Sequence, residues 1–384
     1  MKKTEKIKLL ITKVKILIRQ NIKPLLIVLI WFIFNYLIFL YESSLNYVES
    51  LLILFYFKES PTLWGSFYSS MTEFLIFGLV FSLITIELFR KYNPIEACRK
   101  FASILDDHVI IIGYNHLGRR VANYFRENGK DIIIIDKDPE AVQDLLDMEE
   151  PVIVDDGLSL QALLDARVEN ARAVFIMSDH LELLMVASSN VRHYNKSCRL
   201  ICRVFEDDIA EVIANTFNAQ TISSSRYAAN IILEEIKKGR YKDILLIGMN
   251  HINIRLLNEI KREFKDIRYC LIEENEELVE ELLEEKDTKI IIGDPKEYIT
   301  LRKIPIKDMD FVINTLQNTA DSILITKRIR DLNKNCKVIS RFFLEEVAEV
   351  MTEDPFNAEV ISSSKYTLER MKKNGLLDFD QSME

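Results

Sequence analysis

Two stretches of this chain are near-copies of each other, and no other feature constrains its fold as strongly. Residues 217–227, FNAQTISSSRY, return as residues 356–366, FNAEVISSSKY. The copying extends upstream. HVIIIGYNHLG (108–118) is matched by DILLIGMNHIN (243–253), PVIVDDG (151–157) by TKIIIGDP (288–295), and RLICRVF (199–205) by KVISRFF (337–343). Matches in the same order at near-constant spacing mark a tandem duplication. The chain therefore has to fold as two similar units, over residues 107–240 and 241–374, with a polar acidic tail at 375–384.

Each unit alternates short buried-strand runs with helical stretches. In the first, HVIIIGY, DIIIIDKD, PVIVDD, ARAVFIMSD and RLICRVFED are strand runs, each ending in polar residues. Continuous apolar runs separated by helices predict a doubly wound parallel sheet with helices on both faces. Between the first strand and its helix lies Gly113-Tyr114-Asn115-His116-Leu117-Gly118. The first glycine permits the tight turn and the last permits close helix–strand packing. Asn115 stands where a glycine would let the backbone approach a pyrophosphate. Asp136 ends the second strand, where a carboxylate accepts from ribose hydroxyls and repels a 2′-phosphate. That favours NAD(H) or an adenine nucleotide (ATP, ADP or AMP) over NADP. In the second unit Glu273 replaces Asp136 and Asn253 replaces Gly118, so the first site is expected to be the more competent.

Charge divides the chain differently. Residues 1–100 carry a net charge of +6 and residues 101–384 a net of -15, giving -9 overall. An acidic chain is a poor match for nucleic acid, and no DNA or RNA partner is expected. The five cysteines are too scattered for a disulfide framework or a metal site.

The basic end is apolar over residues 23–90. Two runs, at 24–41 and 72–89, have the length and composition of membrane spans. The first starts too late and runs too long for a signal peptide. Lys and Arg crowd before the first run and after the second, while only Lys58 lies between them. Both termini are therefore expected to face the cytoplasm in the cell membrane. Residues 1–22 set apolar positions at helical spacing among lysines, which reads as an amphipathic helix on membrane lipid or as a solvated basic tail.

Residues 47–57 are apolar but too short to cross, as in a re-entrant helix. Gly78 lies mid-way in the second run, where a helix could bend or pack closely. Glu73 and Glu87 are costly in lipid and should face water or a partner. Glu87 would either join an inner-mouth ring or reach the interface. The following stretch, KESPTLWGSFYSS (58–70), contains no Thr-Val-Gly-Tyr-Gly-like potassium filter.

HVIIIGYNHLGRR, IIIIDKDPE, PVIVDDGLSLQAL, FIMSD, LICRV and NAQTISSS resemble the RCK family, also called TrkA-N domains, over about residues 105–374. The fold class is then an α-helical two-span membrane hairpin with a re-entrant segment, a linker at 91–106, and two tandem α/β Rossmann-like domains. The resemblance implies that the 113–118 loop holds phosphates. It implies that Asp136, with Lys137 beside it, holds ribose, and that Asp155, Asp156, Ser178 and Asp179 line the adenine and ribose side. Arg203 would sit near the phosphates or a subunit interface. A weaker second site would use Gly248, Asn250, Glu273, Gly293, Asp294 and Arg341.

The family's partners imply a homotetramer, or a dimer, with a nucleotide ligand and a monovalent cation as the transported ion. The reading that follows is a nucleotide-regulated, potassium-channel-like membrane protein. The rival is a nonconducting, membrane-anchored nucleotide sensor or a regulatory subunit of a cation channel or transporter. An enzyme is not expected, because the duplication leaves no separate substrate domain. The family's smaller C-terminal ligand subdomain is also missing from the pattern.

Overall fold

The computed structural model describes residues 22, 26–41, 46–60, 62–283, 289–343 and 345–378. The basic helix expected over 1–22 lies outside the described residues, apart from Ile22.

The apolar end holds three helices, Leu26–Tyr41, Tyr47–Leu54 and Leu63–Tyr92. The short one begins at a capping box in which Asn46 and Glu49 satisfy each other's backbone amides. The long one starts at Leu63 rather than 72, with Thr62 accepting from the Gly65 amide. Its 30 residues make a rod about 45 Å long. Residues 63–70, which lie before the apolar run at 72–89, are its first two turns.

Packing explains the early start. Trp64, Tyr68 and Thr72 are spaced four apart on one helix face. Trp64 Nε1 donates to Asn35 Oδ1 at 3.1 Å, and Trp31 Nε1 donates to Thr72 Oγ1 at 2.8 Å. The Tyr68 hydroxyl donates to the Leu54 carbonyl at 2.6 Å. One described helix stretch, Leu63–Phe89, is long and apolar enough to cross a membrane, while Leu26–Tyr41 is apolar but shorter. Gly78 lies inside the long helix with open space where a side chain would be, so it is not a packing contact within the chain.

The remainder forms two six-stranded sheets. The first contains β1 (His108–Ile112), β2 (Ile132–Asp136), β3 (Val152–Val154), β4 (Ala171–Ile176), β5 (Arg199–Arg203) and β6 (Gln220–Ile222). The second contains β7 (Asp243–Ile247), β8 (Arg268–Glu273), β9 (Lys289–Ile292), β10 (Phe311–Asn314), β11 (Lys337–Arg341) and β12 (Glu359–Ile361). Their strand orders are 3-2-1-4-5-6 and, read in the same sense, 9-8-7-10-11-12. Every pairing is parallel. Both faces of such a sheet are covered, which is why its central strands read as unbroken Ile, Val and Leu.

The covering is reciprocal. Helix Ser224–Lys238 follows β6 in sequence, but Ala228, Ile232 and Ile236 pack with Ile244, Leu246 and Leu256 of the second unit. Helix Ser363–Lys373 follows β12, but Met371 packs with Val109, Val121 and Phe125 of the first. Leu376 and Leu377, in the segment expected as a tail, join that same core. Each sequence repeat therefore completes the other's fold.

The seam repeats its polar contacts too. Arg120 donates to Ser364 Oγ at 3.1 Å and to the Phe343 carbonyl at 3.3 Å. Arg255 donates to Ser225 Oγ at 3.3 Å and to the Phe205 carbonyl. The repeated ISSS segments thus supply acceptors across the seam. Arg255 also pairs with Asp207 at 2.7 Å.

Two outcomes test this arrangement. Ile232→Ala should cost about 2–5 kcal/mol in denaturant unfolding and should raise hydrogen exchange in β7 and β10 more than in β5 and β6. Arg255, and after it Arg226, hold the Asp207 carboxyl down to about 2 from an ordinary 3.8. Because the folded value is the lower one, the stabilisation is complete above pH 4 and is lost as pH falls towards 2. Asp207→Asn should flatten the stability profile in that window, by a modest amount because both partners are partly exposed.

Candidate functional site

Strand order reverses between β1 and β4, so the crevice at their carboxyl ends is where a ligand fits. Gly113 lies there with φ +94°. At Gly118 a Cβ would fall 2.0 Å from the Gly113 carbonyl oxygen, which explains the glycine. Asn115 caps helix His116–Glu127. Its Oδ1 accepts from the Leu117 and Gly118 amides, each at 3.1 Å, and its Nδ2 donates to the Met177 carbonyl at 2.6 Å. Helix-terminal amides that could meet a phosphate are therefore already engaged by the chain. Asn250 repeats this cap in the second unit.

The Asp136 carboxylate accepts from the Tyr114 amide at 2.6 Å and from the Asp138 amide at 3.0 Å, which fixes it beside the loop. Lys137 is exposed next to it. Asp156 and Ser178 are half-buried at the same edge and accept from the Leu158 and His180 amides, while Asp179 is exposed. The Asp155 carboxylate is paired with Arg99.

Arg203 donates to the Met177 carbonyl at 3.3 Å and to Ser224 Oγ at 3.2 Å, and it stacks on Phe205. Arg341 stacks on Phe343 and is 8% exposed, with its Nε buried and without a hydrogen-bond partner among the described residues. Burial, and then the charge of Arg203, pull the Arg341 guanidinium down to about 10. The sequence reading placed Arg341 in the second site. Arg341 shares the Phe343 ring with His116, whose pKa its charge helps to lower. His116 stacks on Phe343 with ring centres 4.0 Å apart, and burial followed by the arginines lowers its pKa. His251 stacks likewise on Phe205 at 4.4 Å. Both glycine loops therefore face the seam between the repeats.

In the second unit Gly248 has φ +83°, and the Met249 amide donates to Glu273. Asn253, in place of Gly118, donates to the Ile247 and Gly248 carbonyls at 3.0 and 2.6 Å, so hydrogen bonds replace close packing. Leu316 leans over Gly248. A cavity of about 90 Å³ opens there, lined by Gly248, Glu273, Asp294, Lys296, Leu316 and Asp321. Gly293 beside it has φ +154°, and a Cβ there would meet Thr300.

The structure does not bring Glu73, Gly78 and Glu87 to this site, since they lie exposed along the long apolar helix. Sequence reasoning missed Arg99, Arg120 and Phe343. Arg120 and Arg255 occupy the same position in the two copies, and that recurrence was the available signal.

The TrkA-N domain profile matches residues 109–225 and again residues 244–363. Together these cover more than half the chain, and the chain belongs to the TrkA-N, or RCK, family. It is similar to Potassium channel protein 1 of Methanocaldococcus jannaschii, 29% identical over 104 residues, which is 26% of this chain and 31% of that protein. The chain thus matches under a third of that relative's length. Among solved structures, the GsuK Channel superposes with a TM-score of 0.67 at 17% identity, covering 96% of this chain and all of that one. The GsuK channel bound to NAD gives 0.65 at 14% identity, over 96% of this chain and 84% of that one. GsuK bound to ADP gives 0.62 at 16% identity, over 96% of this chain and all of that one. At these identities the likeness is one of fold.

A buried guanidinium with no ion pair is costly. Arg341→Met should therefore raise the melting temperature of ligand-free protein. It should also diminish any further rise produced by ADP or pyrophosphate. Differential scanning fluorimetry on full-length protein reads both effects.

Proposed function

We propose that this chain is a nucleotide-regulated, potassium-channel-like membrane protein of the cell membrane. The apolar helices Leu26–Tyr41 and Leu63–Tyr92 would form a two-span hairpin around the short helix Tyr47–Leu54, with both termini cytoplasmic. The observation that carries the reading is the direct covalent order: the apolar helix long enough to cross a membrane is followed, after Asn93 alone, by the helix that opens the nucleotide-type domain. Whole-chain likeness to the GsuK Channel fold supports the same order.

Large apolar side chains of the long helix stand exposed, with Phe74 at 70% and Phe77 at 69%. Lipid and neighbouring copies would cover them. Val186 and Val212 in the first unit, and Leu324 and Val350 in the second, are exposed at matching positions. That repetition supports assembly of a ring, as in a homotetramer. The ligand would be NAD(H) or an adenine nucleotide. Asp136 would take its ribose, and the seam lined by Arg203, Arg341 and the His116 ring its phosphates. Binding would favour one ring geometry through unequal affinity for two states. We assign the chain no catalytic role.

A nonconducting sensor is the second reading, and one observation favours it. The segment joining the short and long helices is FYFKESPT (55–62), without filter glycines, and Lys58 in it is paired with Glu49 at 2.7 Å.

Potassium and sodium flux into liposomes containing the purified protein separates the two readings. The channel reading expects flux that changes with NAD, NADH, ADP or ATP and loses that response in Asp136→Ala. Folded, nucleotide-binding protein without flux would establish the sensor instead.

A further inference from the structure

The helix Pro94–Ala102, inside the segment expected as a linker, is built into the first unit. It lies along the free edge of β3. Cys98 packs with Leu145 and Val152 on one face of the sheet, and Ala102 packs with Ile153 and Leu163 on the other. Two consecutive residues of this helix point in opposite functional directions. Arg99 pairs through Nη2 with Asp155, at the carboxyl end of β3, and its Nε lies 3.4 Å from Asp165. Lys100 sets its Nζ 4.5 Å from the ring centre of Phe89, near the end of the long apolar helix. One residue, Asn93, separates the two helices, so a shift of one has little slack before it reaches the other.

Asp155 in turn touches the candidate site. Its amide donates to the Asp136 carbonyl at 3.1 Å, and the Asp136 carboxylate holds the Tyr114 amide of the glycine loop. A contact path therefore runs from the loop through Asp136 and Asp155 to Arg99, then through Lys100 to Phe89.

We propose that Arg99 is a ligand-sensitive latch: its guanidinium bridges Asp155 and Asp165, and a nucleotide occupying the β2–β3 edge competes with it for Asp155. This rests on the nucleotide-binding reading above. With ligand bound, Arg99 keeps Asp165 alone, the linker helix loosens from β3, and Lys100 carries the displacement to the long helix. Because coupling between sites is reciprocal, anything that weakens the Arg99–Asp155 contact strengthens ligand binding.

The test uses full-length protein in lipid nanodiscs, with ADP and NAD titrated by calorimetry and hydrogen exchange followed over residues 94–102. Arg99→Gln should tighten nucleotide binding by about fivefold or more, and should raise ligand-free exchange at 94–102 to the level that wild type reaches only when saturated. Arg99→Lys, which keeps the charge without the two-pronged fork, should fall between them. Asp165→Asn leaves Arg99 only Asp155 and should weaken binding. These opposite signs separate a latch from a general loss of structure, which would weaken binding in every variant. Wild-type affinity in both Arg99→Gln and Asp165→Asn would overturn the latch and leave the nucleotide reading standing. Wild-type protein with no binding heat for either nucleotide would overturn both.

Discussion

Each parallel sheet needs both of its apolar faces covered, and in this chain one covering helix comes from the other repeat. Helix 224–238 lies in the second core, and helix 363–373 in the first. A strand surface lined with Ile and Val cannot stay in water, so neither repeat is complete alone. The exchange also sets the orientation of the two units. It turns the glycine loops towards a common seam, where Arg120 and Arg255 bind the opposite repeat's serines and carbonyls. The eleven residues that survive most visibly in both copies are thus the residues of a joint.

That joint concentrates positive charge. Burial, and then the charge of Arg203, lowers the pKa of Arg341; the two arginines stack on Phe205 and Phe343, and His116 and His251 complete the lining. Charges held apart from water interact strongly because the surrounding dielectric is low. An anion entering here would relieve the desolvation of Arg341. The seam adds two guanidinium groups where Asn115 and Asn250 already satisfy helix-end amides of the two glycine loops.

At the apolar end, a few polar atoms join the apolar cluster of Phe39, Ile53, Leu54 and Tyr68. Asn35 is fully buried and accepts from Trp64, while Thr72 accepts from Trp31. In surroundings without water these bonds fix which helix faces meet. They also explain why the long helix extends nine residues further towards its start than the apolar run alone marks out.

Much was legible in the sequence for a local reason. Parallel-sheet strands are continuous apolar runs, so His108–Ile112 and Asp243–Ile247 announce themselves, and a glycine before a helix marks the turn of the ligand crevice. Duplication was legible because identical local rules were written twice. The pairing of Asp155 with Arg99, the sharing of the Phe343 ring by Arg341 and His116, and the burial of Leu376 and Leu377 were not legible. Each joins residues far apart in the chain, and no local pattern records which partner a charge or an apolar face will meet. The sequence by itself determined two sheets of one topology, a carboxylate at the end of each second strand, and an apolar end before them. Only the tertiary structure decided that the repeats interlock, because that outcome depends on which surfaces remain uncovered once each sheet has formed.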